Sequence, residues 1–219
     1  MELDIQEALR YLGVRGEPGE ELRDQVGRVA ARLTGELSPR YVYRVFDLER
    51  RPQGFALVGT GTVLIGATAE KMLSGSRKAA LLGCTLGARF DRLLMEAQAR
   101  DMAQAVILDA CGGAWVEAGC DEAQREIAGR FPGAYLTDRF SPGYGDLPLG
   151  LQGELCALLD ASKRLGLHVT DSCMLSPVKS VTAVIGIADT PQPARVRGCD
   201  FCAMRKTCAI TKEGKHCGA

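Results

Sequence analysis

The sequence predicts an α+β protein: a twisted, mainly antiparallel sheet packed with helices, followed by a small cysteine-rich C-terminal tail. Three observations carry this prediction. Apolar residues recur at helical spacing near the N-terminus and again beyond residue 87. Short runs of alternating aromatic and β-branched residues, typical of strands, lie between those helical segments. Cysteines crowd into the end of the chain.

The N-terminal region is predicted to form short helices that precede the sheet. Apolar side chains share one helical face over 5–12 and again over 22–37. The next segment, Tyr41–Phe46, alternates and is predicted to be a strand. Residues 55–58 and 62–65 flank a Gly-Thr-Gly turn, which favours either two strands or a strand and a loop.

Helices and strands are predicted to alternate from there. A short helix opened by Thr68 is expected over 67–73, and a buried strand over 79–85. Longer helices are predicted over 87–100, over 102 to about 129, and over 151–165. The Cys111–Ala114 stretch contains two glycines, each costing a helix about 1 kcal/mol relative to alanine. They predict a tight helix–sheet contact or, alternatively, room for a ligand beside Glu117.

We expect three parts: an N-terminal helical segment (1–40), an α+β domain (41–189), and a linker with a cysteine-rich metal-binding tail (190–219). Thr190–Ala194, with two prolines, is typical of an extended linker. The basic tail beyond it suits docking on a protein partner or no docking at all.

Composition and charge exclude several classes of function for this protein. Lys+Arg and Asp+Glu both number 27, so the chain has no overall basicity to support nucleic-acid binding. The acidic start lacks the features of a signal peptide, and the longest uncharged run, 52–69, is too polar to span a membrane. These observations predict a cytoplasmic protein whose cysteines are thiols or metal ligands rather than disulfides.

The cysteines fall into two groups. Those in apolar stretches are predicted to be small core residues: Cys84, Cys111, Cys120, Cys156 and Cys173. Those of the tail follow the spacing C-x2-C-x5-C-x8-C, which predicts a zinc knuckle or an iron–sulfur cluster: Cys199, Cys202, Cys208 and Cys217. His216 is an alternative ligand to Cys217, and a redox-active dithiol at Cys199 and Cys202 is a third interpretation.

The segment Arg139–Tyr144 combines a cation, a turn and an aromatic ring. Arg139 offers a planar donor fork suited to a carboxylate or phosphate. Gly143, after Pro142, accepts a positive φ and lets a ligand approach the backbone. Tyr144 adds a flat apolar face with a hydroxyl at its edge. The structural alternative is an arginine paired with a surface aspartate, a loop and a core tyrosine.

Several separated segments follow this motif in a recognisable order: a predicted helix over 151–165, Thr170-Asp-Ser172, and Pro177 leading to Ser180-Val181. Over roughly 78–188 this order resembles the activation domain of cobalamin-dependent methionine synthase. In that family an R-x-x-x-G-Y segment binds S-adenosylmethionine. The family's Y-P-A-C-P is Tyr144-Gly-Asp-Leu-Pro148 here, so the side-chain contacts after the tyrosine do not transfer.

The resemblance implies roles for named residues. Arg139 is expected to anchor the ligand's carboxylate. Tyr144 is the only residue expected to be catalytic, and it is expected to lie beside the sulfonium or the corrin face. The backbone around Gly143, Gly145 and Asp146 contacts the ligand, with the adenosine near the last two. Glu117 aligns with a family acid that reaches the ammonium and ribose hydroxyls.

The resemblance also implies the partners. The sequence lacks a D-x-H-x-x-G cobalamin signature, so the cobalamin is expected on a separate methionine synthase or related corrinoid protein. A flavodoxin or ferredoxin would supply electrons for reductive methylation, with no nucleic acid or membrane involved. Two alternatives stay open: a non-catalytic module that binds S-adenosylmethionine or a corrinoid, and a zinc-tailed interaction protein.

For the tail we expect an iron–sulfur cluster rather than zinc, since reactivating a cobalt cofactor requires an electron. Protein purified without oxygen should then be brownish and absorb visible light. Colourless protein with one bound zinc ion would contradict the cluster.

Overall fold

The computed structural model describes residues 1–14 and 16–192. The helices in this part are α1 (Ile5–Tyr11), α2 (Glu20–Glu36), α3 (Ala67–Leu73), α4 (Ala88–Arg100), α5 (Met102–Arg130), α6 (Leu151–Leu158) and α7 (Ala161–Leu165). The strands are β1 (Arg40–Arg51), β2 (Gly54–Leu57), β3 (Val63–Ile65), β4 (Ser76–Thr85), β5 (Tyr135–Leu136), β6 (His168–Val169), β7 (Leu175–Ser176) and β8 (Ser180–Ala188).

The main sheet has six strands in the order β3-β2-β1-β4-β8-β5 and is mainly antiparallel. A separate two-stranded ladder joins β6 and β7. With helices accompanying this sheet, the predicted α+β fold class is confirmed. The segments expected as helices near the N-terminus are α1 and α2, and those after residue 87 are α4 and α5.

Strand β1 is longer than the sequence predicts. The alternation ends at Phe46, but the strand continues to Arg51 because β2 pairs with it antiparallel, from Leu48 opposite Leu57 to Arg51 opposite Gly54. β2 also pairs with β3, so both segments flanking the Gly-Thr-Gly turn are strands. Hydrogen bonds from a partner strand therefore extend β1 beyond its local propensity.

The helix predicted over 151–165 is wrong in one respect, since it is broken into α6 and α7. Asp160 separates them in a left-handed conformation with φ of 52°. The carbonyl of Leu158 accepts a hydrogen bond from the Arg44 guanidinium at 2.6 Å. A tertiary donor thus takes the place of a helical N–H group at the break.

The chain forms two compact units. The first comprises Met1–Arg44, Leu82–Ile127 and Gln152–Thr182. The described part of the second comprises Val45–Leu81, Ala128–Leu151 and 183–192. Both have buried apolar cores. Fully buried side chains include Leu33, Phe90 and Leu155 in the first unit, and Leu57, Leu64, Met72 and Phe140 in the second.

Glycines on α5 let neighbouring elements approach closely in the first unit. A Cβ atom at Gly112 would lie under 3.0 Å from the ring of Phe90 on α4, and one at Gly113 would lie 3.2 Å from the ring of Tyr11. Close packing at this glycine pair is therefore confirmed, but its partners are helical residues rather than the sheet. The helix–sheet contact occurs further along α5, where Gly119 faces Cys84 of β4.

Four of the five cysteines predicted to be core residues are buried: Cys84, Cys111, Cys120 and Cys156. Burial raises the pKa of the Cys111 and Cys156 thiols to about 11, so these thiols are inert near neutral pH. The prediction is wrong for Cys173, which is half-buried. It lies between β6 and β7, where its φ of 61° is in the left-handed region.

Among the described residues, no helix is both long enough and apolar enough to cross a membrane.

The contrast between two glycines of α5 gives a test of the packing. Gly112→Ala should lower the free energy of unfolding by about 1–3 kcal/mol, because the added methyl group meets the Phe90 ring. Gly129→Ala is the control, since a Cβ there has no atom within 4 Å, and it should stabilise by about 0.5–1 kcal/mol through helix propensity. Chemical denaturation measures both, and equal effects of the same sign would contradict the contact.

Candidate functional site

The 139–147 loop carries most of the residues that the sequence nominates for ligand binding. It lies in the second unit, after β5. The side chains at its two ends, Phe140 and Leu147, are buried, whereas 143–146 are exposed. Apolar residues at both ends thus hold a loop whose tip faces solvent.

The first end of the loop is attached to β8. Pairing of β5 with β8 places Leu136 opposite Ile187. The backbones of Phe140 and Val184 then exchange two hydrogen bonds, of 3.1 and 2.8 Å. Arg139, half-buried, immediately precedes this bridge. The backbone that carries the guanidinium is therefore held by the sheet.

The middle of the loop is a compact turn closed by its own backbone. The Gly143 N–H donates to the Leu147 carbonyl at 2.8 Å, and the Tyr144 N–H donates to the Ser141 carbonyl at 3.0 Å. Gly143 has a φ of 84°, in the region that favours glycine. Tyr144 is 41% exposed, so it is not a core tyrosine.

The second end of the loop is attached to the start of α3 through Asp146. Its carboxylate accepts hydrogen bonds from the backbone N–H groups of Ala67, at 2.6 Å, and Thr68, at 2.8 Å. The N-cap position of α3 is Gly66, which contributes no side-chain hydrogen bond. The sequence-based assignment of Thr68 as the residue that opens this helix is therefore wrong, because the cap comes from a distant loop.

These hydrogen bonds hold Asp146 in its charged form. Donation from the Thr68 backbone, then from the Thr68 side chain and the Ala67 backbone, lowers the pKa of the Asp146 carboxyl to about 2. A carboxylate that accepts several N–H groups beside a helix start is favoured in this way.

Glu117 belongs to the first unit, where it lies half-buried on α5. It contributes, after burial and Glu7, to raising the pKa of the Tyr11 hydroxyl. Tyr11 lines a groove of about 450 Å³ in this unit, together with Val106, Asp109, Gly113 and Lys179, among others. The Lys179 ammonium lies 2.9 Å from the Asp109 carboxylate.

The later segments of the motif order have local structural roles. The Ser180 hydroxyl donates to the Pro177 carbonyl at 2.6 Å and lies 2.7 Å from the Thr85 hydroxyl. Ser172 lies 3.0 Å from the Thr170 hydroxyl within the turn before β7. The Ser176–Pro177 peptide bond is cis. Ser172 thus lies in the turn between β6 and β7, and Ser180 begins β8.

The predicted metal ligands Cys199, Cys202, Cys208 and Cys217 lie outside the described residues. Within residues 1–14 and 16–192, no group of three or more His, Cys, Asp or Glu side chains is arranged to hold a metal ion.

Sequence reasoning missed the contacts that hold the loop in place. The resemblance implies a ligand contact for the Asp146 backbone, whereas the Asp146 side chain caps α3 from 79 positions away along the chain. Gly66 and Gly145 face this contact, and a Cβ on either would clash with it. No local sequence pattern predicts a helix cap supplied by a distant residue, although glycines at 66 and 145 are consistent with a close approach of the two backbone segments.

Comparison with known proteins identifies the fold. No protein-family model matches the sequence, and no curated protein matches it. Among solved structures, the chain is similar to the MetH reactivation domain bound to AdoHcy, with a TM-score of 0.63 and 16% sequence identity. The alignment covers 98% of this chain and 85% of that chain. At this identity the likeness establishes a shared fold.

The Asp146 contact predicts a defined pH dependence. A lowered pKa means that the carboxylate stabilises the fold above its ordinary value of 3.8, and that this stabilisation is lost as the pH falls toward about 2. The melting temperature of wild type should therefore exceed that of Asp146→Asn near neutral pH, and the difference should shrink in acid. Asp171→Asn, at an exposed turn position, is the control and should match wild type throughout. A difference independent of pH would contradict this assignment.

Proposed function

We propose that this protein binds S-adenosylmethionine and supports reductive methylation of cob(II)alamin carried by a separate methionine synthase or related corrinoid protein. The observation that carries the proposal is the fold shared with the MetH reactivation domain, which was solved with AdoHcy bound. It agrees with the resemblance that the R-x-x-x-G-Y segment and its neighbours suggest. The 41–189 region would form the ligand-binding domain.

The geometry of the 139–147 loop supports this assignment. Arg139, next to the Phe140–Val184 bridge, is proposed to pair with the carboxylate of the ligand. Tyr144, exposed at the tip, is proposed to lie beside the sulfonium or the corrin. The backbone of Gly143, Gly145 and Asp146 would contact the remainder of the ligand. The role of Glu117, on α5 of the first unit, stays a prediction of the resemblance.

The proposed reaction requires positioning more than acid–base chemistry. A one-electron donor, such as a flavodoxin or ferredoxin, reduces cobalt(II) to cobalt(I). Cobalt(I) then attacks the sulfonium methyl group: a Co–C bond forms, the C–S bond breaks, and S-adenosylhomocysteine leaves as a neutral thioether. No proton is transferred, so the protein contributes by aligning the methyl group with the cobalt.

The cysteine tail is proposed to hold an iron–sulfur cluster or zinc. A cluster would suit an electron relay, whereas zinc would suit a docking element for the corrinoid partner.

Binding of S-adenosylmethionine is the first test. Calorimetry should detect binding to wild type, and Arg139→Ala should raise Kd by at least about tenfold, because a charge-assisted hydrogen bond contributes about 1.5–3 kcal/mol. Arg77→Ala is the matched control, since Arg77 is a surface arginine of the same unit that pairs with Asp189 at 2.7 Å. No binding by wild type, or equal binding by Arg139→Ala, would contradict the proposed site.

Methyl transfer is the second test. The assay contains wild-type protein, S-adenosylmethionine, a one-electron reductant and a cob(II)alamin-loaded methionine synthase that lacks its own activation domain. In the absence of oxygen, the methylcobalamin spectrum should appear. Tyr144→Ala should slow its appearance if the ring aligns the reactants. Ligand binding without any spectral change would instead favour the non-catalytic binding module.

A further inference from the structure

We infer that Asp146 is a positioning residue that sets the conformation of the Tyr144 end of the 139–147 loop through the start of α3. This inference rests on the proposed function, because the property that it predicts is affinity for S-adenosylmethionine. It assigns to the Asp146 side chain a role that the family motif does not provide, since the family has alanine at the matching position of Y-P-A-C-P.

The first argument is the number of contacts between two short segments. Two backbone N–H groups, of Ala67 and Thr68, donate to the two oxygens of the Asp146 carboxylate. In the other direction, the Asp146 N–H donates to the Thr68 hydroxyl at 3.4 Å. The side chain and the backbone of Asp146 are therefore both held by the same turn of helix.

The second argument is the absence of space for side chains between the segments. A Cβ at Gly66 would lie 2.9 Å from the Asp146 carboxyl carbon, and one at Gly145 would lie under 3.0 Å from the Thr68 hydroxyl oxygen. Both glycines also have positive φ, 103° and 58°. The backbone thus approaches α3 as closely as glycine permits, which fixes the residue next to Tyr144.

The third argument is that α3 is itself anchored. It packs against β2 and β3, and Glu70 of α3 pairs with Arg50 of β1 at 2.8 Å. The loop is consequently fastened at Phe140 to β8 and at Asp146 to α3. Between these two points lies Tyr144, so loss of the Asp146 contact detaches the turn that carries Tyr144 from α3, while the Phe140–Val184 bridge, next to Arg139, stays attached.

A double-mutant cycle tests this inference. Asp146→Ala should raise Kd for S-adenosylmethionine by about tenfold, the scale of a lost charge-assisted hydrogen-bond pair. Tyr144→Ala should weaken binding in wild type but have little further effect in Asp146→Ala, because the ring is already misplaced there. Asp146→Asn keeps one acceptor oxygen and should restore part of the affinity.

Asp101→Ala is the matched control. The Asp101 carboxylate likewise accepts two backbone N–H groups at a helix start, from Ala103 at 2.9 Å and Gln104 at 3.2 Å, but it caps α5 in the first unit. Asp101→Ala should lower the melting temperature about as much as Asp146→Ala but leave Kd for S-adenosylmethionine unchanged. Tyr144→Ala should then weaken binding as much in the Asp101→Ala background as in wild type. Equal Kd changes in the two capping variants would show general destabilisation and overturn the inference.

Backbone hydrogen exchange separates failure of this inference from failure of the proposed function. Asp146→Ala should speed amide exchange at Ala67, Thr68 and 143–147 without ligand, and unchanged exchange would overturn the positioning role. If wild type fails to bind S-adenosylmethionine, the proposed function and the affinity role both fall. A second outcome is that wild type binds S-adenosylmethionine, that Arg139→Ala weakens this binding, and that Asp146→Ala does not. That outcome overturns this inference alone.

Discussion

The hydrogen bonds from the backbone of Ala67 and Thr68 to the Asp146 carboxylate are the constraint on which the candidate site depends. They give α3 its cap and give the 139–147 loop its second attachment. With Phe140 bridged to Val184 at the other end, the loop tip is held before any ligand arrives. A loop ordered in advance loses less conformational entropy on binding, so more of the contact energy appears as affinity.

This arrangement suits the chemistry that we propose. When a metal is the nucleophile and a neutral thioether leaves, no side chain has to exchange a proton, and the rate depends on alignment. The only histidines in the sequence are His168 and His216. The exposed Tyr144 and the sheet-anchored Arg139 provide a flat surface and a donor fork.

The fold is shared with the MetH reactivation domain at 16% identity, so most individual residues differ while the architecture is kept. Cores tolerate extensive exchange among apolar residues when volume and pattern are conserved. Close approaches are less tolerant: Gly112 against Phe90 leaves no space for a methyl group. Such contacts, rather than apolar character in general, make particular residues indispensable to this packing.

The sequence alone determined the α+β class, most helices and the buried cysteines, because hydrophobic periodicity and burial preference are local properties of a chain. It also singled out the segment around Arg139 and Tyr144 by residue type. Only the tertiary structure decided where β1 ends, why the helix predicted over 151–165 breaks, and what caps α3. Each of these depends on a donor or acceptor supplied from far along the chain: the β2 backbone, the Arg44 guanidinium and the Asp146 carboxylate. The pattern of residues within a short segment does not indicate a hydrogen-bonding partner that only folding brings close.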